Sequence, residues 1–292
     1  MHIYLNGDIL PEKEAAISPL DHGYMYGLGL FETFPVYGRC PFLLDDHLKR
    51  LHDGLSELGI MLQWSREQII ENLNRLLAAN GLENAYVRLN VSAGNGAVGL
   101  QTEPYRQPTR IIYMKPLDPT AGMPEKSAVF LKTKRNTPEG KSRLKSHHYM
   151  NNILAKQEIG GTPGIEGIFL TENGFLAEGI VSNLFWMKNG KLYTPAVETG
   201  ILAGIMRKFV LALARQAGIP AAEGFYRKKE LLESDEAFIT NSIQGIVPLD
   251  KIGTTELPGK RGAAAMDLYK KYIQARTNLW SIYDLQSGGR SQ

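Results

Sequence analysis

The chain has 292 residues, of which 43% are hydrophobic and 22% charged, with a formal net charge of +3. That length predicts two domains, and so small a charge argues against a nucleic-acid or membrane-surface partner while suiting a small anionic substrate. Cys40 is the single cysteine, so an intramolecular disulfide is excluded; with no basic-then-apolar leader and no apolar run near the roughly 20 residues that cross a bilayer, a cytoplasmic protein is expected.

The predicted elements begin with a strand, Ile3 to Leu5, entering a hairpin at Asn6-Gly7-Asp8. Phe31 to Tyr37 reads as a strand. Leu44, Leu48, Leu51, Leu55 and Leu58 recur at helical spacing, with Asp45 as the expected N-cap. A second helix is predicted from Ser65 to Ala79, stopping at Asn80-Gly81, followed by strands over Tyr86 to Ser92 and Thr109 to Met114. The proline-rich stretch from Lys115 to Pro124 then marks a boundary. The expected division is a smaller α+β domain from Met1 to Lys115, a linker from Pro116 to Glu125, and a larger domain from Lys126 to Gln292. A disordered tail is expected from about Ser287.

In the larger half a strand is predicted near Ala128 to Lys132. A helix after Ser146 follows, with Tyr149, Met150, Ile153 and Leu154 on one face. Two hairpins turn at Asn173-Gly174 and Asn189-Gly190, because Asn-Gly supplies the positive φ that a two-residue turn needs. A helix over Leu202 to Gln216 follows, then strands at Ala237 to Thr240 and Ile246 to Leu249, and a last helix from Ala263 to Tyr272.

Several residues admit both a plain and a chemical reading. Lys145, in Arg143-Leu144-Lys145-Ser146-His147-His148-Tyr149, is a solvated charge, or a Schiff-base amine if partial desolvation lowers its pKa. The adjacent His147 and His148 would point about 100° apart on a helix, which argues against a shared metal ion; no metal site is expected. Glu178 ends a predicted strand and shares a face with Leu176. Drawn inward, it would need a cationic partner such as a protonated pyridine nitrogen. Arg50 lies off the apolar stripe of its helix and is either solvated or a bidentate phosphate contact. Thr199 to Arg207 runs into a helix whose first amides suit a phosphate, and Thr240-Asn241-Ser242 offers a hydroxyl or an ordinary turn. The glycines of Gly23 to Glu32 precede a strand instead of following one, which excludes a dinucleotide fingerprint.

Taken in order, these segments resemble the branched-chain/D-amino-acid aminotransferase fold of pyridoxal-phosphate enzymes. The resemblance is carried by Asn6-Gly7, Asp21-His22-Gly23 with Tyr26-Gly27 and Gly29, Phe31-Glu32, and His47-Leu48-Lys49-Arg50-Leu51. It continues through Arg88-Leu89 with Ser92-Ala93-Gly94, Lys145-Ser146 with Asn151-Asn152, Glu178-Gly179 with Ser182-Asn183, and Gly200-Ile201-Leu202 with Gly204-Ile205 and Arg207. It implies a mixed α/β, two-domain chain of fold type IV that binds pyridoxal 5'-phosphate between its domains and forms a homodimer. By the same resemblance Lys145 forms the Schiff base and Glu178 pairs with the pyridine nitrogen. Arg50, the amides of Ile205 and Met206, and Ser242 hold the phosphate. Phe31, Thr33 and Arg88 fall on the substrate side.

Within that family, Leu30 to Phe34, Arg135 to Gly140 and Leu144 to Tyr149 look like the 4-amino-4-deoxychorismate lyase branch. Ala93 stands where amino-acid-specific members tend to carry an arginine for the α-carboxylate. Its absence suits a substrate whose carboxylate lies across a ring from its amine. An aminotransferase of D- or branched-chain amino acids is the alternative.

Overall fold

The computed structural model describes residues 1–286; the disordered tail expected from about Ser287 lies outside the described residues. The chain forms two compact units. The first comprises Met1–Thr120 and takes back two later segments, Lys145–His148 and Thr277–Ser281. The second comprises Ala121–Leu144, Tyr149–Arg276 and the final helix.

The first unit contains β1 (His2–Leu5), β2 (Asp8–Pro11), α1 (His22–Tyr26), β3 (Gly29–Tyr37), β4 (Cys40–Pro41), α2 (Leu44–Glu57), α3 (Arg66–Asn80), β5 (Ala85–Ser92) and β6 (Thr109–Pro116). Its strands form one six-stranded sheet in the order β2-β1-β6-β5-β3-β4, antiparallel throughout. Alternation divides the chemistry. In β5, Ala85, Val87, Leu89 and Val91 are buried beneath the helices, while Tyr86, Arg88, Asn90 and Ser92 face the other way and are half-buried. Thr33 pairs with Arg88 and Phe31 with Asn90, so Phe31, Thr33 and Arg88 share that second face. Glu32, one residue out of phase, points toward the helical side.

Two helix starts differ instructively. Ser65 caps α3 through a reciprocal box with Gln68, and Gly81 closes it in the left-handed region, at the stop that the sequence predicts. The expected Asp45 cap on α2 is not formed. Leu43 holds the cap position at φ 56° with no side-chain bond, and Asp45 sits in the first turn, paired with Arg66. Burial of Leu43 and Leu44 fixes that start more strongly than a polar cap would.

The second unit contains β7 (Lys126–Phe130), α4 (Met150–Glu158), β8 (Ile165–Leu170), β9 (Leu176–Gly179), β10 (Asn183–Lys188), β11 (Lys191–Pro195), α5 (Ile205–Gln216), β12 (Ala221–Gly224), α6 (Lys228–Leu232), β13 (Glu236–Asn241), β14 (Gly245–Ile252), β15 (Thr255–Glu256), α7 (Ala263–Ala275) and α8 (Ile282–Gln286). Its mixed sheet runs β12-β11-β10-β13-β14-β7-β8-β9, with β15 added to β14. Leu184, Trp186, Ile239, Val247 and Leu249 pack on one face, while Phe185 stacks on Phe238 on the other at 5.3 Å. The two Asn-Gly hairpins part ways. Asn189 and Gly190 both take positive φ, 50° and 72°, in a two-residue turn between Lys188 and Lys191. At Asn173-Gly174 only the glycine does so, and the turn runs from Thr171 to Gly174 with a shifted ladder behind it.

Candidate active site

Lys145 belongs to the first unit, in a segment that makes an isolated bridge to the start of β3. Ser146 bridges Leu30, the Phe31 amide donates to the Lys145 carbonyl at 2.9 Å, and the His147 amide donates to the Gly29 carbonyl at 3.0 Å. That pairing puts Lys145 and His147 on the face that carries Phe31, Thr33 and Arg88. The Lys145 Nζ lies 4.4 Å from the centre of the Phe31 ring. The Arg88 guanidinium lies 3.7 Å from the same centre and is held by its Nε, which donates to Asn90 Oδ1 at 2.8 Å. All three residues expected on the substrate side therefore share the face that bears the lysine.

Arg50 projects from α2 onto Glu32, donating from Nε to Oε1 and from Nη2 to Oε2, both at 2.7 Å. His47 adds a third contact, Nδ1 to Glu32 Oε2 at 2.6 Å. Burial pushes the Glu32 carboxyl up, but the Arg50 and His47 charges and hydrogen bonds overcome it and hold the group at about 2. His47 itself is pushed down by burial, against the pull of Glu32. Arg50 is thus a fixed cation on a rigid helix. Sequence reasoning missed Glu32, which passes as one more residue of an apolar strand.

Glu178 lies in the second unit, 4% exposed at the end of β9. Its alternation with Leu176 predicts the inward turn, and its cationic partner is Arg135, whose Nε donates to Oε1 at 2.8 Å. The other oxygen accepts from the Leu202 amide at 3.0 Å and from Asn183 Nδ2 at 3.3 Å. Arg143 approaches to 3.8 Å; burial first, then the neighbouring Arg135 charge, push its guanidinium down to about 10. Arg135 is anchored in turn by Asn151 Oδ1 at 2.7 Å. Arg135 lies 43 residues from Glu178 and 16 from Asn151 in the chain, so no local pattern reveals that partner.

The start of α5 is buried and bare. Gly204 is its N-cap and offers no side chain, leaving the amides of Ile205 and Met206 without an intrahelical acceptor. A Cβ on Gly204 would collide with Asn183 Oδ1, so the close approach requires glycine. Asn183 pairs across the sheet with Thr240. The buried Thr240 Oγ1 and Ser182 Oγ have no hydrogen-bond partner among the described residues. Ser242, expected as the phosphate hydroxyl, follows in the turn after β13, where Asn241 Oδ1 accepts from the Ile243 and Gln244 amides.

Residues 29–252 match the family model described as amino-transferase class IV. The chain belongs to that family. Within the class IV family it is similar to the aminodeoxychorismate lyase of Bacillus subtilis (strain 168), at 46% identity over 93% of this chain and 94% of that one. It is also similar to a putative branched-chain-amino-acid aminotransferase of Methanocaldococcus jannaschii, at 35% identity over 97% of this chain and 98% of that one. Among solved structures, a T.th. branched-chain amino acid aminotransferase with pyridoxamine 5'-phosphate matches with a TM-score of 0.84, at 26% identity over 97% of this chain and 96% of that chain.

The residues present fit a phosphate-bearing cofactor of that kind. Within the second unit, bare amides at a buried helix start and the orphaned hydroxyls of Ser182 and Thr240 are donors of the kind that a phosphate takes. A buried carboxylate already held by an arginine is the group that a protonated ring nitrogen takes.

Proposed function

We propose that this class IV protein is a pyridoxal-phosphate-dependent lyase that converts 4-amino-4-deoxychorismate to 4-aminobenzoate and pyruvate. The observation that carries this reading is the 46% identity to the Bacillus subtilis lyase across nearly the whole of both chains. The site supports it: Lys145 stands beside an aromatic ring and an arginine, a setting for a planar anionic substrate.

When bound, the cofactor supplies an electron sink for the carbon that bears the substrate amine. Lys145 would hold the cofactor through Nζ and, released by the substrate amine, would take the proton from that carbon. The same Nζ would return the proton to the methylene carbon of the departing enolpyruvate, so the reaction needs no acceptor and no electrons. Glu178 would keep the ring nitrogen protonated. Arg50, the Ile205 and Met206 amides and Ser242 would hold the phosphate. Phe31, Thr33 and Arg88 would position the substrate.

The test is incubation of the enzyme, supplied with pyridoxal phosphate, with aminodeoxychorismate and no added oxo acid. Release of 4-aminobenzoate and pyruvate in equal amounts is expected; turnover that requires 2-oxoglutarate overturns the lyase reading. That outcome belongs to the second reading, a branched-chain or D-amino-acid aminotransferase, which the similarity to the Methanocaldococcus protein favours.

Arg50→Gln is expected to weaken binding of pyridoxal phosphate by about tenfold or more, the worth of one charged hydrogen bond. Titration of the visible absorption with cofactor measures it, and an unchanged midpoint removes Arg50 from the phosphate site.

A homodimer and a cytoplasmic location complete the proposal. Among the described residues no helix is long and apolar enough to cross a membrane. The apolar face expected of α4 is not turned inward: Met150, Ile153 and Leu154 are 68%, 49% and 47% exposed, and Asn152 and Ala155 are buried instead. A second copy is the partner proposed for that row. Ile153→Glu combined with Leu154→Glu is expected to shift the sedimenting species from dimer to monomer; an unchanged dimer places the interface elsewhere.

A further inference from the structure

His147 carries a polar atom that the chain leaves unanswered. Its Nε2 is buried and has no hydrogen-bond partner among the described residues. The ring is closely seated. A Cβ on Gly29 would lie 2.5 Å from His147 Cε1, so glycine at that position is what admits the imidazole. The ring stacks on Phe31 at 6.3 Å between centres and 27° between planes. The strand pairing described above puts it on the same face as the Lys145 side chain.

Arg88 shares that neighbourhood. Its guanidinium covers the same Phe31 ring. Its bond to Asn90 is the one hydrogen bond it makes among the described residues, which leaves its terminal nitrogens open. Burial first, then the Arg88 charge, push the His147 imidazole down to about 4, so it is uncharged near neutrality. The other side of the ring reaches the Leu30 backbone. A buried nitrogen without a partner costs free energy, and a group that persists in that state has its partner arrive with a ligand.

We propose that His147 is a specificity-determining substrate residue, whose Nε2 receives a carboxylate of the substrate together with the terminal nitrogens of Arg88. This rests on the lyase reading, which supplies a substrate with a carboxylate a ring's length from its amine. Lys145 and the His147–Arg88 pair flank one aromatic side chain, the arrangement that such a substrate needs. An incoming carboxylate offsets the Arg88 charge and favours the protonated imidazole, so Nε2–H donates to it. A ring that merely filled the space over Gly29 would not need a nitrogen at that point.

The test compares His147→Phe, which keeps the ring and its stacking, with His147→Gln, which restores a donor. In the holoenzyme, His147→Phe is expected to raise KM for aminodeoxychorismate by about tenfold or more and to leave kcat within about twofold. His147→Gln recovers most of the loss. A second readout is equilibrium binding of 4-aminobenzoate against 4-aminobenzamide. The wild type prefers the acid, and His147→Phe loses that preference. A wild type without the preference, or a His147→Phe variant that keeps both KM and the preference, overturns the inference. Should His147→Phe fail to fold, His147→Leu carries the same comparison. A wild type that binds the acid selectively yet releases no 4-aminobenzoate sinks the lyase reading instead and leaves the role of His147 standing.

Discussion

Lys145→Ala is expected to abolish both the visible absorption that the protein acquires with pyridoxal phosphate and nearly all turnover, with a fall in kcat of about 10⁴-fold or more. Two roles should fail together, because in the proposed mechanism the same Nζ anchors the cofactor and carries the proton. The fold does not depend on that side chain. What ties the segment to β3 are backbone bonds, from the Phe31 amide to the Lys145 carbonyl and from the His147 amide to the Gly29 carbonyl, and alanine keeps both. The melting temperature of the variant is therefore expected to stay within a few degrees of the wild type, which separates loss of chemistry from loss of structure. Absorption spectra recorded before and after cofactor addition, with single-time-point assays of 4-aminobenzoate, decide the matter. A variant that keeps the absorption and the rate removes Lys145 from the centre of the reaction.

How much of this was legible before the structure depends on the range of the interaction. Strand spacing placed β3, β5 and β10, and the Asn189-Gly190 turn follows directly from the need for two positive φ angles. The companion Asn173-Gly174 turn did not follow, because Thr171 Oγ1 and its backbone close a longer loop that the dipeptide does not encode. On α4 the apolar spacing was read correctly as one face, but periodicity says which residues share a face and not whether this chain covers it. The order of short motifs points to Lys145, Glu178 and Arg50 as the residues proposed for the site. Glu32, Arg135 and Asn183, which hold two of them in place, were not given roles. The bonds of Glu32 and Arg135 span separations that local pattern cannot register, and Asn183, only five residues from Glu178, reaches it across the bend after β9. The His147 signal is present in the sequence as a pair of histidines, and only the packing of its ring over Gly29, with Nε2 left unpartnered, gives it a direction.

The second large effect is expected at Glu178, where two substitutions should dissociate charge from shape. Glu178→Gln keeps the volume and one acceptor: its single carbonyl oxygen can meet Arg135 or the Leu202 amide, which bond different oxygens of the carboxylate. It is expected to fold and to bind pyridoxal phosphate, but to slow proton abstraction by about 10²-fold or more, since a neutral amide no longer holds the ring nitrogen protonated. Glu178→Ala removes the acceptor altogether. Arg135 and the 9%-exposed Arg143 would then lose the carboxylate between them, with Glu139 as the acid left near Arg143. Breaking a buried pair by deleting one partner typically costs about 3–5 kcal/mol. Thermal denaturation is expected to show that loss for alanine and a smaller one for glutamine, while substrate deuterated at the amine-bearing carbon should show a larger isotope effect for glutamine than for the wild type. If glutamine reacts at the wild-type rate, Glu178 is a structural anchor for Arg135 alone. If both variants are equally unstable, the carboxylate charge itself holds this corner of the second unit together, because glutamine and alanine share its loss and differ in everything else.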